Sequence, residues 1–178
     1  MGATNIYNEF INEFEKTIQY KKYDNAIFVC IGTDRITGDC FGPIVGSILM
    51  NKQNNYKIPN IEIIGSLEDN LSFEKVEEKL MPLMQKYNNP IVVSIDAALS
   101  DKNNIGKIYV GKSGIEIGKG LYKKSKTIGD VSIKAVVGKN MKSTNENFRI
   151  LQNISLNNVM KLSNLVANGI IEVMYKKI

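Results

Sequence analysis

The segment formed by residues 26–43 constrains the fold of this 178-residue chain more than any other part of it. Residues 26–31 are six consecutive apolar residues, which predicts a buried strand. A polar loop with two glycines and two aspartates follows, and Pro43 suits the first turn of the apolar helix that comes next. Because open α/β sheets bind ligands where a strand runs through a loop towards a helix, we expect a functional site in this loop.

Apolar runs and apolar stripes at helical spacing alternate along the chain. Helices are predicted over residues 1–20, 43–50, 72–87, 143–151 and 159–173, and strands over residues 26–31, 61–64, 91–95, 107–110 and 131–137. Residues 51–60 and 111–129 are predicted to be loops, and Pro82 is expected to kink or shorten its helix. This alternation predicts an α/β fold, namely a three-layer α/β/α sandwich with a mostly parallel sheet. We expect one domain over residues 1–178, beginning with a helix within residues 1–22.

The composition excludes several classes of function. The chain has no histidine, so no mechanism can use imidazole as a base, an acid or a metal ligand. Its two cysteines form neither a zinc pattern nor a disulfide framework. The net charge of +5 comes without a nucleic-acid-binding motif, and no apolar run approaches the ~18 residues of a membrane span. With no secretory signal, we expect a cytoplasmic protein without a nucleic-acid or membrane partner; the oligomeric state is left open.

Acidic residues follow three of the predicted strands, at the sheet edge where α/β folds keep their sites. They are Asp34 and Asp39 after the first strand, Glu68 and Asp69 after the second, and Asp96 after the third. Asp96 is the strongest candidate because it directly follows a nearly continuous apolar stretch, residues 91–95. Burial raises the pKa of a carboxyl group, and a second carboxylate nearby raises one of the two further. Such a pair can act as acid and base around one water molecule.

Structural roles compete with this interpretation. An aspartate after a strand often caps the next helix or fixes a loop, and for Asp34 we favour that role. Asp39 could cap the helix that follows it, but Asp39 and Asp96 together favour a functional carboxylate pair. The glycine-rich loop lacks the Lys-Ser/Thr ending of a phosphate-binding loop, which disfavours nucleotide binding. A metal bound here would have only oxygen ligands, which favours Mg or Mn over zinc.

Several segments carry a resemblance to a known family. The segments are residues 31–43 (IGTDRITGDCFGP), 65–70 (GSLEDN), 94–99 (SIDAAL), 129–133 (GDVSI) and 151–156 (LQNISL). In these segments the chain resembles the YyaC family of sporulation proteins, found in spore-forming bacteria. The resemblance runs from about residue 26 to the C terminus, so residues 26–178 form the part that is similar to the family.

The YyaC family is in turn similar to spore germination proteases and hydrogenase maturation endopeptidases, which implies a phosphorylase/hydrolase-like α/β/α fold. In germination proteases an Asp-x-x-Gly-Pro segment and a later Asp-Ala-Leu segment carry the two acids proposed for peptide hydrolysis. Residues 39–43 match the first segment, and residues 96–99 match the second with an extra alanine. Hydrogenase maturation enzymes hold nickel with the same two acidic positions and a histidine, and this chain has no histidine.

Residues and resemblance together predict a sporulation-associated peptidase that needs no cofactor and acts on a protein or peptide. Asp39 and Asp96 would activate the attacking water, and backbone N–H groups near Gly38 or Gly42 would stabilise the oxyanion. Asp34, Gly38, Gly42 and Glu68 are the predicted substrate-binding residues. Two alternatives stay open: a non-catalytic sporulation domain that binds or regulates, and an oxygen-ligated metal hydrolase. The relative placement of Asp39 and Asp96 discriminates among the three.

Overall fold

The computed structural model describes residues 3–117 and 126–176. The helices are α1 (Ala3–Ile18), α2 (Phe41–Tyr56), α3 (Phe73–Lys86), α4 (Thr144–Gln152) and α5 (Leu156–Tyr175). The strands are β1 (Asn25–Cys30), β2 (Ile61–Ile64), β3 (Pro90–Ser100), β4 (Ile108–Gly111), β5 (Ile115–Ile117), β6 (Lys126–Ile128) and β7 (Val131–Lys139). Short 3-10 helices occupy Thr37–Cys40 and Lys102–Asn104.

The main sheet has the strand order β2-β1-β3-β7-β4. The strands β2, β1, β3 and β7 pair in parallel, and β4 pairs antiparallel with β7 at one edge. Strand β2 lies on one side of β1, and β3 and β7 lie on the other side of β1. The boundary between β1 and β3 is therefore a topological switch point, where open α/β sheets form a crevice.

Helices cover both faces of this sheet, as alternation along β1 shows. Phe28 and Cys30 are buried in a cluster with side chains of α1, α2 and α5. Ile27 and Val29 face the other way and are buried in a cluster with Val76 of α3. The prediction of an α/β/α arrangement with a mostly parallel sheet is thus confirmed; its physical basis is that parallel strands bury both faces.

Helix α1 packs on α5 through apolar residues at helical spacing. Phe10, Phe14 and Ile18 are buried, and the rings of Phe10 and Phe14 stack with centroids 5.8 Å apart. A β-carbon at Gly169 of α5 would approach the Phe10 ring to 2.6 Å, so a glycine is needed for this close contact.

The organisation of residues 1–178 as one domain stays a prediction.

Helix α2 extends further than predicted, and Pro82 does not shorten α3. The predicted loop at 51–60 is wrong, because α2 continues to Tyr56 and ends at Lys57, which has a left-handed φ of 49°. The Gln53 side chain stabilises this extension by donating a 2.8 Å hydrogen bond to the backbone carbonyl of Ile61. Helix α3 also continues beyond Pro82, since Leu83 in its last turn still packs against the buried cluster.

The predicted surface loop at 111–129 is wrong in its described parts. Strands β5 and β6 pair antiparallel there, and Ile115 and Ile128 are buried at their ends. Burial of these two side chains beside Val92 anchors the pair on the α3 face of the sheet. Residues 118–125, in the middle of this predicted loop, lie outside the described residues.

None of the helices described in residues 3–117 and 126–176 is both long and apolar enough to cross a bilayer.

Candidate active site

The loop after β1 folds back on itself and carries Asp39 to the end of the sheet. The backbone N–H of Thr33 donates a 2.9 Å hydrogen bond to Oδ2 of Asp39. Gly32 permits this turn, because its φ is +136° and a β-carbon there would overlap the Asp39 carbonyl oxygen. The 3-10 helix Thr37–Cys40 then leads directly into α2. Asp39 is therefore fixed by its own loop.

Asp39 does not cap helix α2. The residue in the N-cap position is Cys40, and no side chain makes a capping hydrogen bond there. The thiol of Cys40 instead donates a hydrogen bond of 2.9 Å to the Thr37 carbonyl. The expectation that Asp39 could serve as a helix cap is thus wrong, and its carboxylate remains directed to the loop and the sheet end.

Asp96 lies within a strand, and the prediction that it follows the strand is wrong. Strand β3 continues to Ser100 because β7 pairs with Ala97 and Ala98 beyond the point where β1 ends. By the alternation of a strand, Asp96 shares a face with Ser94. The Ser94 hydroxyl donates a 2.5 Å hydrogen bond to the Ile128 carbonyl, which marks this face as the one covered by α3 and the β5–β6 pair.

The structure brings Asp39 and Asp96 together at the switch point. The Ile31 N–H donates a 2.8 Å hydrogen bond to the Ile95 carbonyl, so the loop from β1 starts beside Asp96. The negative charge of Asp39 raises the pKa of Asp96, which shows that the two carboxyl groups interact. Both residues are partly buried. A water molecule between them would meet two carboxyl groups in a medium of reduced polarity.

The two carboxyl groups have different environments. Burial is the main cause that raises the pKa of Asp96 to about 8, and the charge of Asp39 adds to it. The Ala97 N–H and the charge of Lys134 act in the opposite direction. Burial also raises the pKa of Asp39, against the hydrogen bond from the Thr33 N–H. Burial and the charge of Asp39 therefore favour the protonated form of Asp96 near neutral pH.

Lys134 lies beside Asp96 in the sheet, a position to which no sequence motif pointed. Lys134 of β7 is in register with Asp96 of β3, and its charge lowers the pKa of Asp96. The alternation of side chains along β7 is the signal that could have revealed this position. Val131 and Ile133 are buried in the cluster formed with α1, α2 and α5. Lys134 therefore faces the opposite side, which is the side of Asp96.

The predicted substrate-binding residues Asp34 and Glu68 lie at the same edge. Asn70 donates a 2.6 Å hydrogen bond from Nδ2 to Oδ1 of Asp34, and the Asp34 N–H donates to Oδ1 of Asn70 at 3.2 Å. Asp34 thus ties the loop after β1 to the loop after β2, which is the structural role favoured for it above. Glu68 is exposed. Contact of either residue with a substrate stays a prediction.

Gly38 and Gly42 are both buried, and each allows close packing. A β-carbon at Gly38 would approach Leu151 to 2.8 Å, and one at Gly42 would overlap the Ile31 carbonyl oxygen. Near Gly38 the N–H groups of Asp39 and Cys40 both donate to the Ile36 carbonyl. These two N–H groups are therefore occupied, and a role of Gly38 or Gly42 towards a substrate stays a prediction.

The residues of the site do not fit a nickel centre of the kind that uses two acids and a histidine. The chain has no histidine. Within residues 3–117 and 126–176, no three Asp, Glu or Cys side chains come together as a ligand group. A positive charge, that of Lys134, is already placed beside Asp96. We derive no step through a metal.

The fold is that of an α/β protein with a mostly parallel sheet, and it is similar to the fold of a solved protease. The chain matches the crystal structure of a NiFe hydrogenase maturation protease, HycI from Thermococcus kodakarensis KOD1, with a TM-score of 0.51. The match covers 88% of this chain and 97% of that one at 16% identity, so it shows a common fold.

The family is identified by sequence. The family model described as "Protein of unknown function (DUF1256)" matches residues 1–169, so the chain belongs to the DUF1256 family. The chain is also 33% identical over 144 residues to the "Uncharacterized protein YyaC" of Bacillus subtilis (strain 168), covering 81% of this chain and 67% of that protein. The resemblance to the YyaC family and the likeness in fold to hydrogenase maturation proteases are confirmed. The likeness to germination proteases stays a prediction.

Proposed function

We propose that this protein is a sporulation-associated peptidase that hydrolyses a peptide bond with water activated between Asp39 and Asp96. The observation that carries the proposal is the interaction of two unequal carboxyl groups at the switch point of the sheet. A pair of acids whose environments separate their pKa values can divide the roles of base and acid. The association with sporulation rests on the resemblance to the YyaC family.

The environments assign the two roles. The Asp39 carboxylate, which accepts the Thr33 N–H, acts as the general base and takes a proton from the water. The water oxygen forms a bond to the carbonyl carbon of the peptide. Asp96 enters the reaction protonated and gives its proton to the nitrogen of the leaving amine as the C–N bond breaks. After the C–N bond breaks, Asp39 holds the proton of the water and Asp96 is ionised.

The start of α2 supports this chemistry. Helix α2 begins at Phe41, two residues after Asp39. The N-terminal end of a helix carries a partial positive charge, which favours negative charge nearby. Both the ionised base and an oxyanion formed beside it benefit from this field.

The test is to incubate the purified protein with an extract of sporulating cells and to follow cleavage by mass spectrometry. Asp39→Asn and Asp96→Asn keep the size of the side chain and remove the acid–base group. Asp101→Asn is the matched control, because Asp101 is exposed and caps no helix with its side chain. We expect cleavage by the wild type and the control, and none by the two site variants.

Other outcomes identify the alternatives. Cleavage that persists in Asp39→Asn or Asp96→Asn overturns the paired-carboxylate mechanism. No cleavage by the wild type in any extract favours a binding or regulatory domain with a protease-like fold. Cleavage lost with a chelator and restored by Mg or Mn favours the oxygen-ligated metal hydrolase.

A further inference from the structure

We propose that Lys134 supplies a positive charge to the aspartate pair and stabilises the anion that forms on Asp96 when Asp96 gives up its proton. This deepens the proposed function and rests on it for its catalytic meaning. Lys134 is a positioning residue in this scheme, because it acts through Asp96 and takes no proton from the substrate.

The sheet itself sets the geometry. Parallel pairing of β3 and β7 places Asp96 opposite Lys134, between the pairs Ile95–Ile133 and Ala97–Ala135. Side chains of paired residues lie on the same face of a sheet, and Cβ atoms of such neighbours are about 5 Å apart. The backbone hydrogen bonds of two long strands thus place the Lys134 stem beside Asp96, and the Lys134 charge acts on the Asp96 carboxyl group.

Among the described residues, the side-chain charges that act on Asp96 are those of Asp39 and Lys134. Asp39 faces Asp96 from the loop after β1, and Lys134 faces it from β7. On its other side Lys134 is in register with Tyr109 of β4. Ser94, two residues before Asp96 on the same face, does not titrate in the relevant range and donates its hydroxyl to Ile128.

The mechanism creates a need for this positive charge. When Asp96 donates its proton, the negative charge that Asp39 carried at the start appears on Asp96. Burial disfavours an ionised carboxyl group at this position, and a nearby positive charge offsets part of that cost. Because Lys134 is in place before the reaction, no reorganisation of the site is required.

The test measures the titration of Asp96 directly, by the ¹³Cγ shift of labelled aspartate in the full chain. Lys134→Met keeps the unbranched stem and removes the charge, and Lys134→Arg keeps the charge. Lys139→Met is the matched control, because Lys139 is on the same strand but exposed and in register with Ser100. We expect Lys134→Met to raise the midpoint of Asp96 by about one pH unit. We expect Lys134→Arg and Lys139→Met to stay near the wild type.

The inference is wrong if Lys134→Met shifts the titration midpoint of Asp96 no more than Lys139→Met does. If Lys134→Met does not fold, Lys134→Gln serves for the same comparison. The titration needs no substrate. A negative result for Lys134 can therefore be distinguished from a failure of the peptidase proposal. Where cleavage is found, we further expect Lys134→Met to lower kcat and to move the alkaline limb of the pH profile by the same amount as the Asp96 midpoint. If the alkaline limb does not move, the proposed effect of Lys134 on catalysis is wrong, while its effect on the titration of Asp96 stands.

Discussion

The backbone N–H of Thr33 donates a hydrogen bond of 2.9 Å to Oδ2 of Asp39. It favours the ionised form of Asp39 against the effect of burial. Asp96 also has a backbone hydrogen bond, from the Ala97 N–H, but burial and the charge of Asp39 outweigh it and raise the pKa of Asp96 to about 8. Asp96 is therefore the carboxyl group of the pair that we expect to keep its proton.

The first prediction concerns the size of the catalytic loss. With a purified peptide substrate, Asp39→Asn and Asp96→Asn should each lower kcat/KM by about 10²-fold or more, because each removes one general acid or base. The double variant should lose little beyond the single variants, since the two groups act as a unit. Circular dichroism should show an unchanged fold. A single variant that keeps a tenth of the activity or more contradicts the paired mechanism.

The second prediction is the pH dependence of activity. The proposed reaction needs one proton on the pair, and that proton is held by Asp96, whose pKa is about 8. We therefore expect kcat/KM to fall as the pH rises through about 8, and to fall again in acid as Asp39 takes a proton. Stopped assays with one peptide over a range of pH values measure this. A rate that is constant to pH 10 is incompatible with Asp96 as the acid.

The third prediction concerns stability and does not depend on activity. The pKa of Asp96 is about 8 in the folded protein and about 4 in an unfolded chain. Between these values the folded state holds a proton that the unfolded state has lost, so the free energy of unfolding contributed by Asp96 decreases as the pH rises. Urea unfolding at pH 5 and pH 8 should show this decrease.

The control for the third prediction is Asp96→Asn, which cannot ionise. It should weaken the pH dependence and raise the free energy of unfolding at pH 8 by about 1 kcal/mol or more, since one pKa unit corresponds to about 1.4 kcal/mol. If wild type and Asp96→Asn have the same pH dependence, burial of Asp96 is not the cause of it.

The fourth prediction tests the loop that holds Asp39. Gly32→Ala should destabilise the protein by about 3 kcal/mol or more, because it adds a clash with the Asp39 carbonyl to an unfavourable φ. Gly106→Ala is the matched control: its φ is +88°, and no atom lies within 4 Å of the added β-carbon. Gly106→Ala should lower the free energy of unfolding by about 1–2 kcal/mol. Thermal unfolding compares the two, and equal losses would show that the contact with Asp39 is unimportant.

The fifth prediction concerns metals. Because Lys134 places a positive charge beside Asp96, we expect EDTA to leave cleavage unchanged. The assay is the rate of peptide cleavage before and after dialysis against the chelator, with added Mg or Mn as the second arm. Stimulation by either ion would favour the oxygen-ligated metal hydrolase.

Much of the fold could be predicted because its signals are local. The apolar stretch that forms β1 and the spacing of Phe10, Phe14 and Ile18 in α1 each depend on residues close in sequence. The ends of the elements depend on distant partners. Helix α2 reaches Tyr56 with the support of the Gln53 contact to Ile61, which a local pattern does not reveal.

The sequence by itself determined the strand-loop-helix segment that carries Asp39, the apolar strand that leads to Asp96, and the exclusion of histidine chemistry. Only the tertiary structure decided that Asp96 lies inside β3, that Asp39 accepts the Thr33 N–H and does not cap α2, and that Lys134 is a neighbour of the pair. The reason is physical. Which residues form strands and helices follows from side-chain periodicity, whereas strand register and burial arise from pairing between segments far apart in the chain, and these set the charges around a carboxyl group.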